Sequence, residues 1–236
     1  MLPRSTLPLF EPAVIVAGQH AIWGSVIVFK RFLPPLALLL TLGACLHGGG
    51  TYEFAAVDLT LTVSSGRTVS ASVIDHRPYV VNGKESSSFV GTTQGKAGGT
   101  ADIRTGSGRP LAEELTDAVV RALDRRGIAA SAMPLPKGSP EEAILTAFRT
   151  QGTERLLVVR MFEWKTKALT RVILRWHLEA IVRDRAGNVL ARRATQGTES
   201  VGVTNLRRDS ADIAIREVSQ KLSQLLNDPV IAGALR

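Results

Sequence analysis

The sequence predicts a single α/β domain of the α+β kind, with one mixed sheet in two layers and about three helices on one face. Strand-like and helix-like segments follow one another over residues 55–236 in the order β-β-α-β-α-β-β-β-α. Apolar residues make up 44% of the 236-residue chain, which is enough to build a core. No internal repeat and no second boundary interrupts these segments, so we expect one domain.

Two strands open the predicted domain. Residues 55–63 ("AAVDLTLTV") and 67–75 ("RTVSASVID") are rich in β-branched side chains, and residues 64–66 form the turn between them. Apolar and serine side chains alternate over residues 69–73, which indicates one buried face and one polar face.

A polar segment follows at residues 82–108. Glycine and serine dominate it, which predicts a long mobile loop that can include a short strand. The segment does not fit a phosphate-binding loop. Gly91 and Gly95 are too close together for the G-x-x-x-x-G-K-[ST] pattern, and Ala97 replaces its hydroxyl residue. We therefore expect no nucleotide and no other cofactor.

Two helices and a short strand are predicted next. Apolar residues recur at helical spacing over residues 111–123, and Gly127 marks the end of this helix. Residues 128–132 have the composition of a short strand. The sequence Ser-Pro-Glu-Glu at residues 139–142 is typical of a capping box, and the helix that it opens ends near Gly152.

The last third of the chain predicts three strands and a helix. Residues 155–164 are apolar on both faces, as in a central strand. Residues 170–184 alternate between apolar and polar, and a turn joins them to a strand at residues 189–201. An amphipathic helix capped by Asp209 or Ser210 ends at Pro229, and the tail can add one turn.

The alternating strand supplies the candidate binding residues. Arg171, Arg175 and Arg183 are expected on its wet face, together with Arg192 or Arg193 from the next strand. The planar guanidinium group binds phosphates and carboxylates through paired hydrogen bonds. Lipopolysaccharide, peptidoglycan and an acidic envelope protein are therefore candidate partners, and an ordinary solvated sheet face is the alternative.

The residues favour a non-enzymatic protein. Of the four histidines, His76 and His177 fall in the predicted domain. Asp75 and His76 are adjacent in sequence and would point to opposite faces of a strand, so we expect Asp75 or Arg77 to form a structural salt bridge rather than a catalytic pair. No histidine and glutamate pair has the spacing of a metal site. The net charge is +8, but the basic residues are not clustered with aromatic residues as nucleic-acid binding would require.

The only cysteine, Cys45, has the surroundings of a lipid-attachment site. Lys30 and Arg31 precede an apolar run at residues 32–42, which is too short for a transmembrane helix. Leu-Gly-Ala-Cys at residues 42–45 resembles a bacterial lipobox, whose thiol receives a diacylglycerol. The lipobox resemblance implies a lipid anchor at Cys45, and Leu46 in place of an aspartate favours the outer membrane, facing the periplasm. The alternative is a buried cysteine that acts as a small apolar residue.

The predicted organisation has four parts. Residues 29–44 are the signal peptide, residues 45–54 carry the lipidated cysteine and a glycine-rich tether, and residues 55–236 form the periplasmic domain. Residues 1–28 do not fit a signal peptide, because prolines and an acid interrupt them. A later translation start would make them a misassigned leader, and a genuine leader is the alternative.

The arrangement resembles the YajG family of bacterial lipoproteins from about Cys45 onward. The lipobox is followed by a strand that ends in "VIDHR", a helix that ends in "ALDRRGI" and the strand "RLLVVRMFEW". A hairpin around "VRDRAGNVL" and the helix "AIREVSQKLSQLLNDPVI" complete the pattern. The resemblance implies attachment to the outer membrane and no catalytic residues.

Overall fold

The computed structural model describes residues 50–64, 66–94, 98–203 and 207–236, without the side chains of residues 207–209. The predicted leader, the predicted signal peptide and Cys45 lie outside the described residues. Within the described residues, no helix is both long enough and apolar enough to cross a membrane.

The described part of the chain contains eight strands, five helices and a 3-10 turn at Phe54–Ala56. The strands are β1 (Gly50–Tyr52), β2 (Val69–Asp75), β3 (Phe89–Gln94), β4 (Thr100–Thr105), β5 (Ala130–Ala132), β6 (Arg155–Ala168), β7 (Arg171–Asp184) and β8 (Val189–Val203). The helices are α1 (Pro78–Val81), α2 (Leu111–Arg125), α3 (Glu141–Gln151), α4 (Arg207–Leu226) and α5 (Pro229–Leu235).

Strand β6 is the centre of a forked mixed sheet. One edge of β6 pairs with β7 in antiparallel fashion along its length, and β7 pairs with β8. The other edge of β6 is shared by two parallel neighbours, β2 at its first half and β3 at its second half. Strand β5 extends the β2 branch, and β4 followed by β1 extends the β3 branch. The sheet therefore divides in two at the middle of β6.

The prediction of one mixed α/β domain is confirmed. The main core lies between the sheet and three helices, α2, α4 and α5. Three helices pack on one face of the sheet, as predicted, but they are not the three that we expected. The predicted helix α3 packs on the opposite face, and α5 takes its place. A smaller cluster beneath α3 consists of Ile74, Met133, Ile144, Phe148, Leu156 and Val158. Strand alternation explains the division, since Leu156 and Val158 point away from the face that carries Leu157 and Val159.

The prediction of a first strand at residues 55–63 was wrong. Val57, Leu59, Leu61 and Val63 are buried and alternate with exposed residues, but residues 57–63 do not join the sheet. Side chains of α2 and of the end of α4 take the place of a neighbouring strand. Asn227, for example, accepts a hydrogen bond from the amide of Thr62 and donates one to the carbonyl of Thr60. A period of two shows that a segment is extended, and it does not show what the segment pairs with.

The prediction of a mobile loop at residues 82–108 was also wrong. Strands β3 and β4 form an antiparallel hairpin there, with Phe89, Val90 and Ile103 buried. Gly91 allows β3 to approach β6 closely, because a Cβ atom at this position would lie 2.2 Å from the carbonyl oxygen of Thr166. At Gly91, glycine is therefore needed for contact between two strands.

The ends of several elements differ from their predictions. Residues 50–54, which we assigned to the tether, belong to the fold, and Tyr52 and Phe54 are buried. Helix α3 begins as expected, but the hydroxyl of Ser139 donates to the carbonyl of Pro136 and does not cap the helix. Helix α4 begins at Arg207, so Ser210 lies inside it and accepts a hydrogen bond from the hydroxyl of Tyr52.

Candidate functional site

The candidate arginines lie on the outer face, which is the face of β6, β7 and β8 that points away from α2, α4 and α5. The buried side chains of β7 recur at every second residue from Val172 to Val182, so Arg171, Arg175 and Arg183 point to the outer face. The sequence therefore predicted the orientation of these side chains. It did not predict that the three arginines would have different surroundings along the strand.

Arg183 is separated from the other two arginines. Eight residues of strand, about 26 Å, lie between Arg175 and Arg183. The Arg183 side chain is buried at the end of β7, donates to the carbonyl of Gly187 and pairs with Glu141 at the start of α3. Burial lowers the pKa of its guanidinium from the usual value, and the neighbouring Arg192 lowers it further. Because Glu141 already compensates its charge, Arg183 is a structural residue in this arrangement.

Arg171 and Arg175 are exposed, and two lysines of β6 extend the positive charge around them. Lys165 lies directly opposite Arg175 in the β6–β7 register, and Lys167 lies opposite Ile173. The Lys165 ammonium is 5.3 Å from the centre of the Phe89 ring. The basic half of the outer face is therefore formed by Lys165, Lys167, Arg171 and Arg175.

The two arginines of β8 lie on different faces. Arg192 is opposite Ile181 on the outer face, and its Nε atom is 3.6 Å from a carboxylate oxygen of Glu179. Arg193 points to the helix side, where its Nε is 2.9 Å from the carboxylate of Asp228. Neither arginine joins the basic half of the outer face.

Two histidine rings stack on Phe162 in the middle of the outer face. The ring centre of Phe162 is 5.4 Å from that of His76 and 4.9 Å from that of His177. The Nε2 atom of His76 is buried and has no hydrogen-bond partner in the described structure. Burial lowers the pKa of His76, and the nearby charge of Arg160 lowers it further. His76 is therefore neutral at physiological pH and contributes to packing.

Asp75 and Arg77 form the expected structural salt bridge at the fork of the sheet. Both side chains are buried, and their charged atoms are 2.7 Å apart. The Arg77 guanidinium also donates to the main-chain carbonyls of Phe89 on β3 and Trp164 on β6. Arg77 thus fills the space where β6 passes from one parallel neighbour to the other.

A cavity of about 690 Å³ opens beside this ion pair. It lies at the carboxyl ends of the parallel strands β2 and β5, next to the first turn of α2, where open α/β sheets commonly bind ligands. Its lining includes Asp75, Arg109, Asp117, Pro134, Leu135 and Lys137. The charged groups already have partners within the chain. Arg109 pairs with Asp117 and Glu113, and Lys137 donates to the carbonyl of Val80.

Sequence reasoning missed this cavity and the two lysines of the basic half. The available signal for the cavity was Asp75 at the end of the buried strand β2, together with Pro134 and Pro136 after the short strand β5. Lys165 and Lys167 carried a period-two signal, but the β6–β7 register is interrupted between Met161 and Glu163. That interruption changes which residues of β6 share a face, so the orientation of the lysines depends on the pairing with β7.

Comparisons with known proteins add likeness of fold alone. No protein-family model matches the chain, and no curated protein matches it in sequence. Protein XCC0632 from Xanthomonas campestris, described with the family model DUF330, is 13% identical over 78% of this chain and 95% of its own, with a TM-score of 0.48. PelC from Paraburkholderia phytofirmans, a dodecamer, is 18% identical over 71% and 92%, with a TM-score of 0.36. The LpoB C-terminal domain from Salmonella enterica is 10% identical over 60% and 87%, with a TM-score of 0.29.

Proposed function

We propose that the chain is a lipoprotein of the bacterial outer membrane, and that its folded part is a non-catalytic periplasmic domain that binds or assists another envelope component. The observation that carries this proposal is the lipobox-like sequence Leu-Gly-Ala-Cys at residues 42–45, directly after a basic pair and a short apolar run. The thiol of Cys45 would receive the lipid.

The start of the fold supports an anchor at this position. Strand β1 begins at Gly50, and Tyr52 and Phe54 are already part of the core. Five residues of chain from Cys45 to Gly50 reach at most about 18 Å. A lipid on Cys45 would therefore hold the domain next to the membrane surface.

The side-chain partners support a role without catalysis. In the cavity beside the fork, the carboxylate of Asp75 is engaged by Arg77, and Arg109 is engaged by Asp117. The hydroxyl of Tyr79 donates to Glu163 and to the carbonyl of Trp164, and burial raises its pKa above the usual value. These groups are committed to holding the fold together, which favours binding over chemistry.

Radiolabelled palmitate tests the anchor. Wild-type protein and the variants Cys45→Ser and His47→Ala are expressed with the label, and the membranes are then fractionated. We expect label and outer-membrane recovery for the wild type and for His47→Ala, which leaves the lipobox unchanged. Cys45→Ser should carry no label. Absence of label from the wild type would overturn the proposal.

The exposed cations of the outer face favour a second function, binding of an anionic lipid or glycan. Arg171 and Arg175 are solvent-exposed beside Lys165 and Lys167. The double variant Arg171→Gln/Arg175→Gln tests this function, and Arg185→Gln, an exposed arginine in the turn after β7, is the control. Arg183 is unsuitable for this test because its side chain is buried and its loss would break the ion pair with Glu141.

The result separates the two functions. Loss of lipopolysaccharide or peptidoglycan binding by the double variant alone, with unchanged stability, favours the second function. Retained glycan binding together with loss of a specific envelope protein favours the first. If both variants behave as the wild type in both assays, the outer face is an ordinary solvated surface.

A further inference from the structure

Three exposed apolar side chains lie together at one end of the sheet. Leu169, in the turn between β6 and β7, is 42% exposed, Ile173 is 38% exposed and Val203 is 69% exposed. Ile173 is two residues further along β7 from Arg171, and Arg171 lies directly opposite Val203 on β8. The three side chains therefore lie at the end of the sheet formed by the β6–β7 turn, the start of β7 and the end of β8.

Two cations alternate with these apolar side chains. Lys167 lies opposite Ile173, and Arg171 lies opposite Val203. Both cations are exposed, and no carboxylate among the described residues forms a salt bridge with either one. Asp102, on the β3–β4 hairpin, is already paired with Arg104. Among the side chains that the structure describes, Lys167 and Arg171 therefore have no carboxylate partner.

Strand β1, the first described strand after Cys45, begins toward this same end of the sheet. Gly50 pairs with Ile103, Ile103 pairs with Gly91, and Gly91 pairs with Thr166 of β6. The directions of these pairings make β1 antiparallel to β6. The first residue of β1, Gly50, is therefore at the end of β1 that faces the same way as the end of β6, where Leu169 is located.

The distances are compatible with a shared surface. Three steps between neighbouring strands, about 14 Å in total, separate β1 from β6. The five residues from Cys45 to Gly50 reach at most about 18 Å. A membrane that holds a lipid on Cys45 therefore comes within reach of the turn between β6 and β7.

We propose that this apolar–basic end, formed by Lys167, Leu169, Arg171, Ile173 and Val203, rests on the anionic phospholipid surface to which Cys45 is anchored. The inference depends on the proposed lipid anchor. The apolar side chains enter the boundary between head groups and acyl chains, and the two cations contact the phosphates. The domain is then held in a fixed orientation, with the end of the sheet that carries α3 and the hairpin turn at residues 184–188 directed away from the membrane.

The opposite end of β7, where it turns into β8, provides a matched control. Leu190 is 43% exposed, close to the value for Leu169, and the exposed Arg185 lies in the neighbouring turn. The two ends are similar in composition and differ in their position relative to the anchor. A comparison between the two leucine positions therefore tests the effect of distance from the anchor and not the effect of side-chain hydrophobicity.

Quenching by brominated lipids measures contact with the bilayer. The mature, lipid-anchored protein is reconstituted in vesicles of brominated phosphatidylcholine and phosphatidylglycerol, as the wild type and as the variants Leu169→Trp and Leu190→Trp. The native Trp164 and Trp176 are buried, and the wild type gives their background signal. We expect the tryptophan from Leu169→Trp to be quenched at least about twofold more than the tryptophan from Leu190→Trp.

Charge reversal tests the contribution of the cations. Adding Lys167→Glu and Arg171→Glu to Leu169→Trp should lower its quenching on vesicles that contain phosphatidylglycerol, whereas adding Arg185→Glu should not. Equal quenching of Leu169→Trp and Leu190→Trp, with all protein still floating with the vesicles, would overturn the membrane contact and leave the anchor intact. Failure of the wild type to float would overturn the anchor, and the membrane contact with it.

Discussion

The guanidinium of Arg77 lies 2.7 Å from the carboxylate of Asp75, and both side chains are buried where the sheet forks. The same guanidinium donates to the carbonyls of Phe89 and Trp164, so one side chain satisfies main-chain groups of both β3 and β6. Strand β6 changes its neighbour from β2 to β3 at this point. The ion pair therefore occupies the gap that two separate parallel neighbours leave beside a single strand.

Arg77→Met should destabilise the fold strongly. Removing one partner leaves the Asp75 carboxylate buried without compensation, which costs about 3–5 kcal/mol of unfolding free energy. Urea denaturation measures this change. The control is Arg104→Met, which breaks an exposed pair with Asp102 and should cost no more than about 1 kcal/mol. Equal losses in the two variants would contradict a special role for the buried pair.

Gly91→Ala should separate β3 from β6. The added Cβ atom would lie 2.2 Å from the carbonyl oxygen of Thr166, and a main-chain atom in a sheet cannot move aside easily. Overpacking of this kind costs about 1–3 kcal/mol. Gly99→Ala in the same hairpin is the control, because no atom lies within 4 Å of its Cβ position. Thermal unfolding of the two variants checks the difference, and a comparable loss in both would argue against close contact at Gly91.

Asn227→Ala should release the extended segment at residues 57–63. Asn227 is hydrogen-bonded to the amide and the hydroxyl of Thr62 and to the carbonyl of Thr60. We expect faster amide hydrogen exchange in this segment and a loss of about 0.5–1.5 kcal/mol of unfolding free energy, because the exposed hydrogen bonds to Thr60 and Thr62 are removed. Asn188→Ala, in the exposed turn before β8, is the control. Unchanged exchange at residues 57–63 would show that apolar packing alone holds the segment.

Glu114 should make stability depend on pH. Its side chain is buried, Ser107 donates to one carboxylate oxygen, and the other oxygen has no hydrogen-bond partner among the described residues. Burial raises the pKa of Glu114 above its ordinary value of 4.5. Since the folded state then holds the proton more tightly than the unfolded state, stability is greatest below the ordinary pKa and falls as the pH rises through the raised pKa.

Glu114→Gln should remove this loss of stability. Denaturant unfolding of the wild type and the variant, from acidic to neutral pH, measures the difference between their free energies of unfolding. We expect this difference to change in favour of the variant as the pH rises. The exposed Glu142→Gln variant should show no such trend. A difference that is constant with pH would contradict ionisation of a buried Glu114.

The sequence predicted those strands and helices in which apolar residues recur at regular spacing because one face of the element is buried. Strand β7 is an example, because every second residue from Val172 to Val182 contacts the core, and burial alternates along the strand as far as Ala180. Helix α2 is another, since its apolar residues recur at helical spacing along its length. The sequence also contains the lipobox-like pattern at Cys45, whose recognition depends on local order alone.

The tertiary structure decided what these elements contact. An alternating pattern at residues 57–63 is equally compatible with a strand and with an extended segment between helices, and Asn227, more than 160 positions away, satisfies its main chain. The arginines of β7 have one orientation but different surroundings, since Glu141 of α3 pairs with Arg183, while Arg171 and Arg175 remain exposed. Orientation depends on backbone period, which is local, whereas pairing depends on residues far apart in the chain that folding brings together.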